Sequence, residues 1–112
     1  MGKAADYTRQ ECFDLIKDCQ IRLEELDFHI ESADRFIAFS TRRISGYNDR
    51  IVELRTDQKY ANSEVEVAAV IRLYREENER LRETVKDKEN YIREMEMLER
   101  DMKSWELVSK IV

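Results

Sequence analysis

Two thiols are the most reactive side chains in the sequence. Cys12 and Cys19 lie seven residues apart, and on a helix wound around a partner such residues occupy equivalent positions of one face. Two parallel chains would place each cysteine beside its own copy, so a disulfide between chains is geometrically feasible if the Cα atoms approach closely enough. We favour a simpler interpretation, in which both cysteines are small apolar core residues of a protein in a reducing compartment.

Metal and cofactor chemistry has little support in the sequence. His29 is the only histidine, and Glu25 precedes it by four residues, whereas di-iron helical bundles use a Glu-x-x-His spacing from two helices. Zinc sites need clustered cysteine and histidine ligands, and no such ligand set surrounds Cys12 and Cys19. We therefore predict no metal and no cofactor, and a structural or solvent-facing role for His29.

Catalysis is also disfavoured. The 25 Asp and Glu residues are spread along the chain, and carboxylates become general acids or bases where a pocket perturbs their pKa values. The sequence contains no Gly-rich phosphate loop, nucleophile elbow or Ser-His-Asp order. We predict that the protein is not an enzyme.

The stretch from Arg42 to Arg55 is the nearest approach to a basic cluster, but Asp49 and Glu53 interrupt it. Zipper-type transcription factors carry a strongly basic helix directly before their heptads, whereas the residues before the heptads described below are few and mixed in charge. The net charge of −5 also weakens attraction to nucleic acid and to anionic membranes. Nucleic-acid binding is therefore a distant third hypothesis.

The sequence gives no sign of membrane attachment. It has no run of about 18 apolar residues that could span a bilayer, and its first residues lack the apolar core of a signal peptide. Met1-Gly2 opens the chain, but Asp6 stands where the myristoylation pattern needs Ser or Thr. We predict an intracellular, cytoplasmic protein with no membrane partner.

All of these residues belong to a chain whose periodicity is typical of a coiled coil. It has no Pro, two Gly and 40% charged residues, which is the composition of long helices. A first set of apolar residues, the isoleucine row, recurs every seven positions: Ile16, Leu23, Ile30, Ile37, Ile44 and Ile51. A companion row falls between them at four-then-three spacing: Cys12, Cys19, Leu26, Ala33, Ser40, Tyr47 and Leu54. A stripe this long must be buried by another helix.

Capping signals and a phase change define two helices, at about 8–60 and 64–110. Thr8 and Glu11 match a capping box, as do Ser63 and Glu66. The heptad phase continues across Gly46, so we predict an unbroken helix there, weakened by about 1 kcal/mol relative to Ala. The phase changes by one residue near 61–63, where we place a break. The second seam comprises Val67, Ile71, Tyr74, Asn78, Leu81, Val85, Lys88, Ile92 and Met95.

We predict a single all-α domain over residues 1–112, an elongated coiled coil in which two helices form an αα-hairpin that self-associates. The alternative is one continuous, rod-like, parallel dimeric coiled coil. Asn78 in the seam would fix register and dimeric state. The oligomerisation seam consists of Ile16, Leu23, Leu26, Ile30, Ile37, Ile44, Tyr47, Ile51, Leu54, Ile71, Tyr74, Asn78, Leu81, Val85, Ile92 and Met95.

The function most typical of this pattern is a non-catalytic scaffold or adaptor. It would form a homodimer or a dimer of hairpins and bind another protein. The alternative is a helical chaperone or regulatory binder that holds a segment of a client protein. Aromatic residues and Met are favoured interface anchors, so the candidate partner-binding residues are Phe36, Phe39, Met102, Trp105 and Val108.

Overall fold

The computed structural model describes residues 7–56 and 64–112. Within these ranges the chain forms two α-helices, α1 (Arg9–Thr56) and α2 (Glu64–Ile111), and no strand. Each helix has 48 residues, which corresponds to a length of about 72 Å. The predicted all-α class is confirmed, and α2 begins and ends within a residue or so of its predicted bounds. The predicted end of the first helix near residue 60 and the break at 61–63 lie outside the described residues.

The start of α1 is a capping box, as the sequence predicts. The backbone amide of Glu11 donates to Thr8 Oγ1 at 3.1 Å, and the amide of Thr8 donates to Glu11 Oε1 at 3.3 Å. These two bonds satisfy amides that have no partner inside the helix.

Helix α1 continues through Gly46 without interruption. No described residue has a positive φ, so Gly46 adopts an ordinary helical conformation. The prediction of an unbroken helix at this position is confirmed.

The described residues form two compact units, and within each of them α1 and α2 pack antiparallel as the two arms of a hairpin. The terminal unit comprises the described residues 7–31 and 88–112, and the central unit comprises 32–56 and 64–87. In the terminal unit, Arg22 Nε lies 2.6 Å from Glu94 Oε2, a contact between residues 72 positions apart. A single continuous helix cannot make that contact within one chain, so the alternative of an uninterrupted rod is wrong.

The companion row of α1 forms the centre of the contact with α2. Its buried members are Cys12, Cys19 and Leu26 in the terminal unit, and Ala33, Ser40 and Leu54 in the central unit. Tyr47 is half-buried. Neither described helix contains a stretch long and apolar enough to cross a membrane.

Candidate self-association face

The isoleucine row of α1 is only half covered by the hairpin. All six of its members are half-buried, whereas the companion row beside it is buried at every position except Tyr47. Successive rows of a heptad lie side by side around the helix. The companion row therefore faces α2 directly, and the isoleucine row lies on one flank of that contact.

Ion pairs close the opposite flank. Arg22 and Arg50 directly precede members of the isoleucine row, a position that lies on the other side of the companion row. In the terminal unit Arg22 binds Glu94 through two hydrogen bonds of 2.6 and 3.0 Å. In the central unit Arg50 Nη2 lies 2.8 Å from Glu66 Oε1. One flank of each unit thus carries an ion pair between the helices.

Arg22 also alters the acidity of its partner. Its hydrogen bonds hold the pKa of Glu94 below the ordinary value, against an opposing effect of burial. The Glu94 side chain is still 40% exposed, so water screens much of this attraction.

Helix α2 contributes a second partly exposed row to the flank opposite the ion pairs. Glu66 and Glu94 directly precede the Val67 row of the predicted seam (Val67, Tyr74, Leu81, Lys88 and Met95). The other row of that seam, here called the Ile71 row, lies on the side of the Val67 row that is away from these two glutamates (Ile71, Asn78, Val85 and Ile92). Ile71 and Asn78 are half-buried, and Val85 and Ile92 are each 38% exposed.

Among the described residues that α2 contributes to the central unit, the buried polar one is Glu77, one position before Asn78. The Glu77 side chain is 3% exposed. Val67 of the predicted seam is buried as well, and Tyr74, Leu81 and Met95 are half-buried. The core of the hairpin therefore includes the α2 row that lies one position before the Ile71 row, to which Glu77 belongs. The role of Asn78 in setting register between chains stays a prediction.

The Glu77 carboxylate is held by side chains of both helices. Ser40 Oγ of α1 donates to Glu77 Oε1 at 3.1 Å, and Arg80 Nε of α2 donates to Oε2 at 3.0 Å. Arg80 Nη2 also donates to Oε2, and Arg43 Nε of α1 lies 3.6 Å from Oε1. Burial of a carboxylate is costly unless it is paired and hydrogen-bonded, and here both oxygens are satisfied.

The same contacts lower the pKa of Glu77. The hydrogen bonds from Arg80 have the largest effect, burial opposes them, and the Ser40 hydroxyl adds to the lowering. The carboxylate therefore stays ionised at neutral pH. Sequence reasoning missed this site, although Ser40 offered a signal, since a hydroxyl in the companion row needs a buried partner.

The thiols occupy apolar positions in the terminal unit. Cys12 is fully buried and Cys19 is 8% exposed, and both are free. Burial raises the pKa of Cys19, and the nearby carboxylates of Asp101 and Asp18 raise it further. The reactive thiolate form is thus disfavoured.

The predicted partner-binding residues are divided between covered and exposed positions. The Trp105 ring is half-buried and meets Tyr7 edge-on at a centroid distance of 4.8 Å. Met102, Val108 and Phe36 are half-buried. Phe39 is 49% exposed. Their binding of a partner stays a prediction.

Arg43 and His29 each lie against an aromatic ring. Arg43 lies 5.5 Å from the centroid of the Phe39 ring and donates to Tyr47 Oη at 2.6 Å. His29 stacks on Tyr91 with centroids 5.3 Å apart. In the described part of the chain, no three His, Cys, Asp or Glu side chains converge as metal ligands would.

Comparisons with protein-family models, curated proteins and solved structures give no match. The function must therefore be inferred from the chain's own residues.

Proposed function

We propose that this chain is a non-catalytic coiled-coil scaffold whose hairpins pair through the isoleucine row. The observation that carries the proposal is the incomplete burial of this row beside a companion row that is buried at every position except Tyr47. Covering apolar surface contributes roughly 25 cal/mol per Å². A second hairpin laid on this flank would cover the isoleucines and complete a four-helix arrangement.

The flank has apolar residues from both helices in the central unit. We define the isoleucine flank as Ile37, Ile44 and Ile51 of α1 together with Ile71, Asn78 and Val85 of α2. Both sets lie opposite the Arg50–Glu66 ion pair. A second copy placed on this flank would meet a mainly apolar surface formed by both helices, with Asn78 as its polar member.

Charge favours pairing through the central unit. Its described residues carry 10 basic and 10 acidic side chains, whereas those of the terminal unit carry eight basic and 13 acidic side chains. Two terminal units brought together would repel each other, since like net charges destabilise contact. Two central units carry no such net repulsion.

The test compares two substitutions of equal exposure on α2. Val85 is 38% exposed on the isoleucine flank, and Leu73 is 39% exposed beside the ion-paired flank of the same unit. We expect the purified chain to sediment at twice its mass of 13.5 kDa. Val85→Lys should weaken self-association by about tenfold or more, because it buries a charge in the interface.

Leu73→Lys is the matched control and should leave the assembly intact. Circular dichroism on both variants verifies that each hairpin remains helical. A wild-type chain that stays monomeric at high concentration would refute the proposal, as would equal weakening by the two variants.

A second candidate function is binding of a client segment, as in a helical chaperone or regulatory binder. The observation that favours it is the exposed Phe39 ring, over which the Arg43 guanidinium lies. A binder of this kind would be monomeric alone and would bind an apolar dye at this ring. Phe39→Ser should then abolish dye binding without changing the sedimentation of the chain.

We further propose that the scaffold works inside the cell, in the cytoplasm. Support comes from Cys12 and Cys19, which are free and buried, as expected for thiols in a reducing compartment. Arg43 and Arg50 already pair with Glu77 and Glu66, which further reduces the case for a nucleic-acid partner.

A further inference from the structure

The terminal unit carries an apolar pair on α1 that the hairpin does not cover. Ile21 is 48% exposed and Phe28 is 62% exposed, and the two lie seven residues apart. Single exposed apolar residues are normal on protein surfaces. Two large ones on the same face, about two helical turns apart, are within reach of a single partner helix, and we call this pair the strip.

This strip points away from both contacts described above. Each of its residues follows a member of the isoleucine row by five positions, which turns it by about 150° around the helix. The companion row, which faces α2, lies at a similar angle on the other side. The strip is therefore free to bind a partner whether or not the hairpins pair.

Carboxylates line the strip on both sides. Glu24 and Glu31 follow Ile21 and Phe28 by three positions each, and Glu25 and Asp18 lie along the opposite edge. The α1 segment of the terminal unit, residues 7–31, has seven acidic and three basic side chains. One of those three, Arg22, is already bound to Glu94 and Glu25.

We propose that Ile21, Phe28, Glu24 and Glu31 form a docking strip for a basic amphipathic helix of another protein. Such a helix presents apolar side chains at seven-residue spacing with Lys or Arg beside them. Its apolar side chains would cover Ile21 and Phe28, and its cations would pair with the flanking carboxylates.

A second copy of this chain fits the strip poorly. Its terminal unit has the same acidic charge and would be repelled. The basic α1 segment of its central unit has Arg35, Arg42 and Asp49 in the equivalent outward row, so it offers no apolar side chain to cover Phe28.

The probe is a synthetic amphipathic helix of about 20 residues, with Leu on one face and Lys beside it. Its twin has Glu in place of every Lys. We expect calorimetry to show that the full-length chain binds the Lys peptide and does not bind the matched Glu peptide. Binding should weaken strongly between about 50 mM and about 500 mM salt, because salt screens the carboxylate–ammonium attraction.

Two variants locate the binding site. Phe28→Ser should weaken binding of the Lys peptide by about tenfold or more, and joint Glu24→Lys and Glu31→Lys substitution should abolish it. Leu107→Ser is the matched control, since Leu107 is a 65% exposed apolar residue on α2 of the same unit, and it should leave binding unchanged.

Three results would overturn the docking strip. The first is equal affinity of the chain for both peptides, and the second is undiminished binding of the Lys peptide by the Phe28→Ser variant. The third is a Phe28→Ser variant that no longer forms the assembly that the wild-type chain forms. The last result would mean that a second copy covers the strip. The sedimentation of Val85→Lys is a separate measurement, so failure of the scaffold proposal and failure of the docking strip are distinguishable.

Discussion

In the terminal unit the companion row buries Cys12, Cys19 and Leu26, whereas in the central unit it buries Ser40 beside the ionised Glu77. Along the companion row the terminal unit is thus apolar, whereas the central unit has a polar layer between Ala33 and Leu54. The described residues of the terminal unit carry a net negative charge, and those of the central unit are balanced. The same heptad spacing supports both arrangements. The spacing determines which positions face the other helix, and the side chains at those positions determine whether the contact there is apolar or polar.

The two units also differ in how strictly their core contacts fix the alignment of α1 against α2. An apolar centre such as Leu26 tolerates small shifts of alignment, because dispersion and hydrophobic contacts are not directional. A buried carboxylate accepts few alignments, because each oxygen needs its donor within hydrogen-bond distance. We infer that Glu77 selects the alignment of the hairpin and that the apolar residues supply its stability.

The largest expected effect is the loss of a core leucine from either unit. Leu26 is fully buried and Leu54 is 2% exposed, so Leu26→Ala and Leu54→Ala should each lower the free energy of unfolding by about 2–5 kcal/mol. Chemical denaturation followed by circular dichroism measures this. Amide exchange should rise most in the unit that loses its leucine. A change as small as that of a surface substitution would contradict the burial of that leucine.

The next effect tests the polar layer of the central unit. Glu77→Ala should cost about 1–3 kcal/mol, because it leaves the fully buried Ser40 hydroxyl without its partner. Glu77→Leu should likewise leave the Ser40 hydroxyl unpaired, and adding Ser40→Ala to Glu77→Leu should recover much of the loss, since a well-packed apolar pair can replace a buried polar one. A double-mutant cycle measures the coupling. Strictly additive costs would show that the two side chains act independently.

The third prediction concerns pH and compares one carboxylate from each unit. The pKa values of Glu77 and Glu94 are lowered by their arginine partners, so each stabilises the fold above the ordinary carboxyl pKa of about 4.3. That stabilisation is lost as the pH falls through the lower, folded-state pKa.

Glu77→Gln should therefore flatten the decline in melting temperature on acidification more than Glu94→Gln does, because Glu77 is buried and Glu94 is half-exposed. Thermal melts across the acidic range measure this difference. Identical profiles for the two variants would remove the distinction between the polar layer and the surface ion pair.

The smallest expected effect is a gain in stability at Gly46. A Cβ atom built there meets no atom within 4 Å, and the helix is regular at this position. Gly46→Ala should therefore raise the free energy of unfolding by about 0.5–1 kcal/mol. Protection from amide exchange should increase in the central unit, and a loss of stability would indicate that something packs against this glycine.

Much of α1 was predictable because its signals agree. The capping box at Thr8, the continuous phase across Gly46 and the companion row through Leu54 all indicate one helix with one buried face. The buried face of α2 was harder to assign because the row that contains Glu77 and the adjacent Ile71 row have similar polarity at several positions. Glu77 and Asn78 are both polar, and Tyr91 and Ile92 are both apolar, so at these two levels composition does not identify the buried row.

The sequence by itself determined that the described chain is helical, where α1 begins, where α2 begins and ends, and which two neighbouring rows of α1 form its apolar face, because these follow from seven-residue periodicity and local capping. Only the tertiary structure decided that α2 of the same chain covers that face and that Glu77 enters the core in preference to Asn78. The α1 side chains opposite α2 determine which row of α2 enters the core. Here Ser40 and Arg43 of α1 supply the hydrogen bond and the charge that the buried Glu77 carboxylate needs.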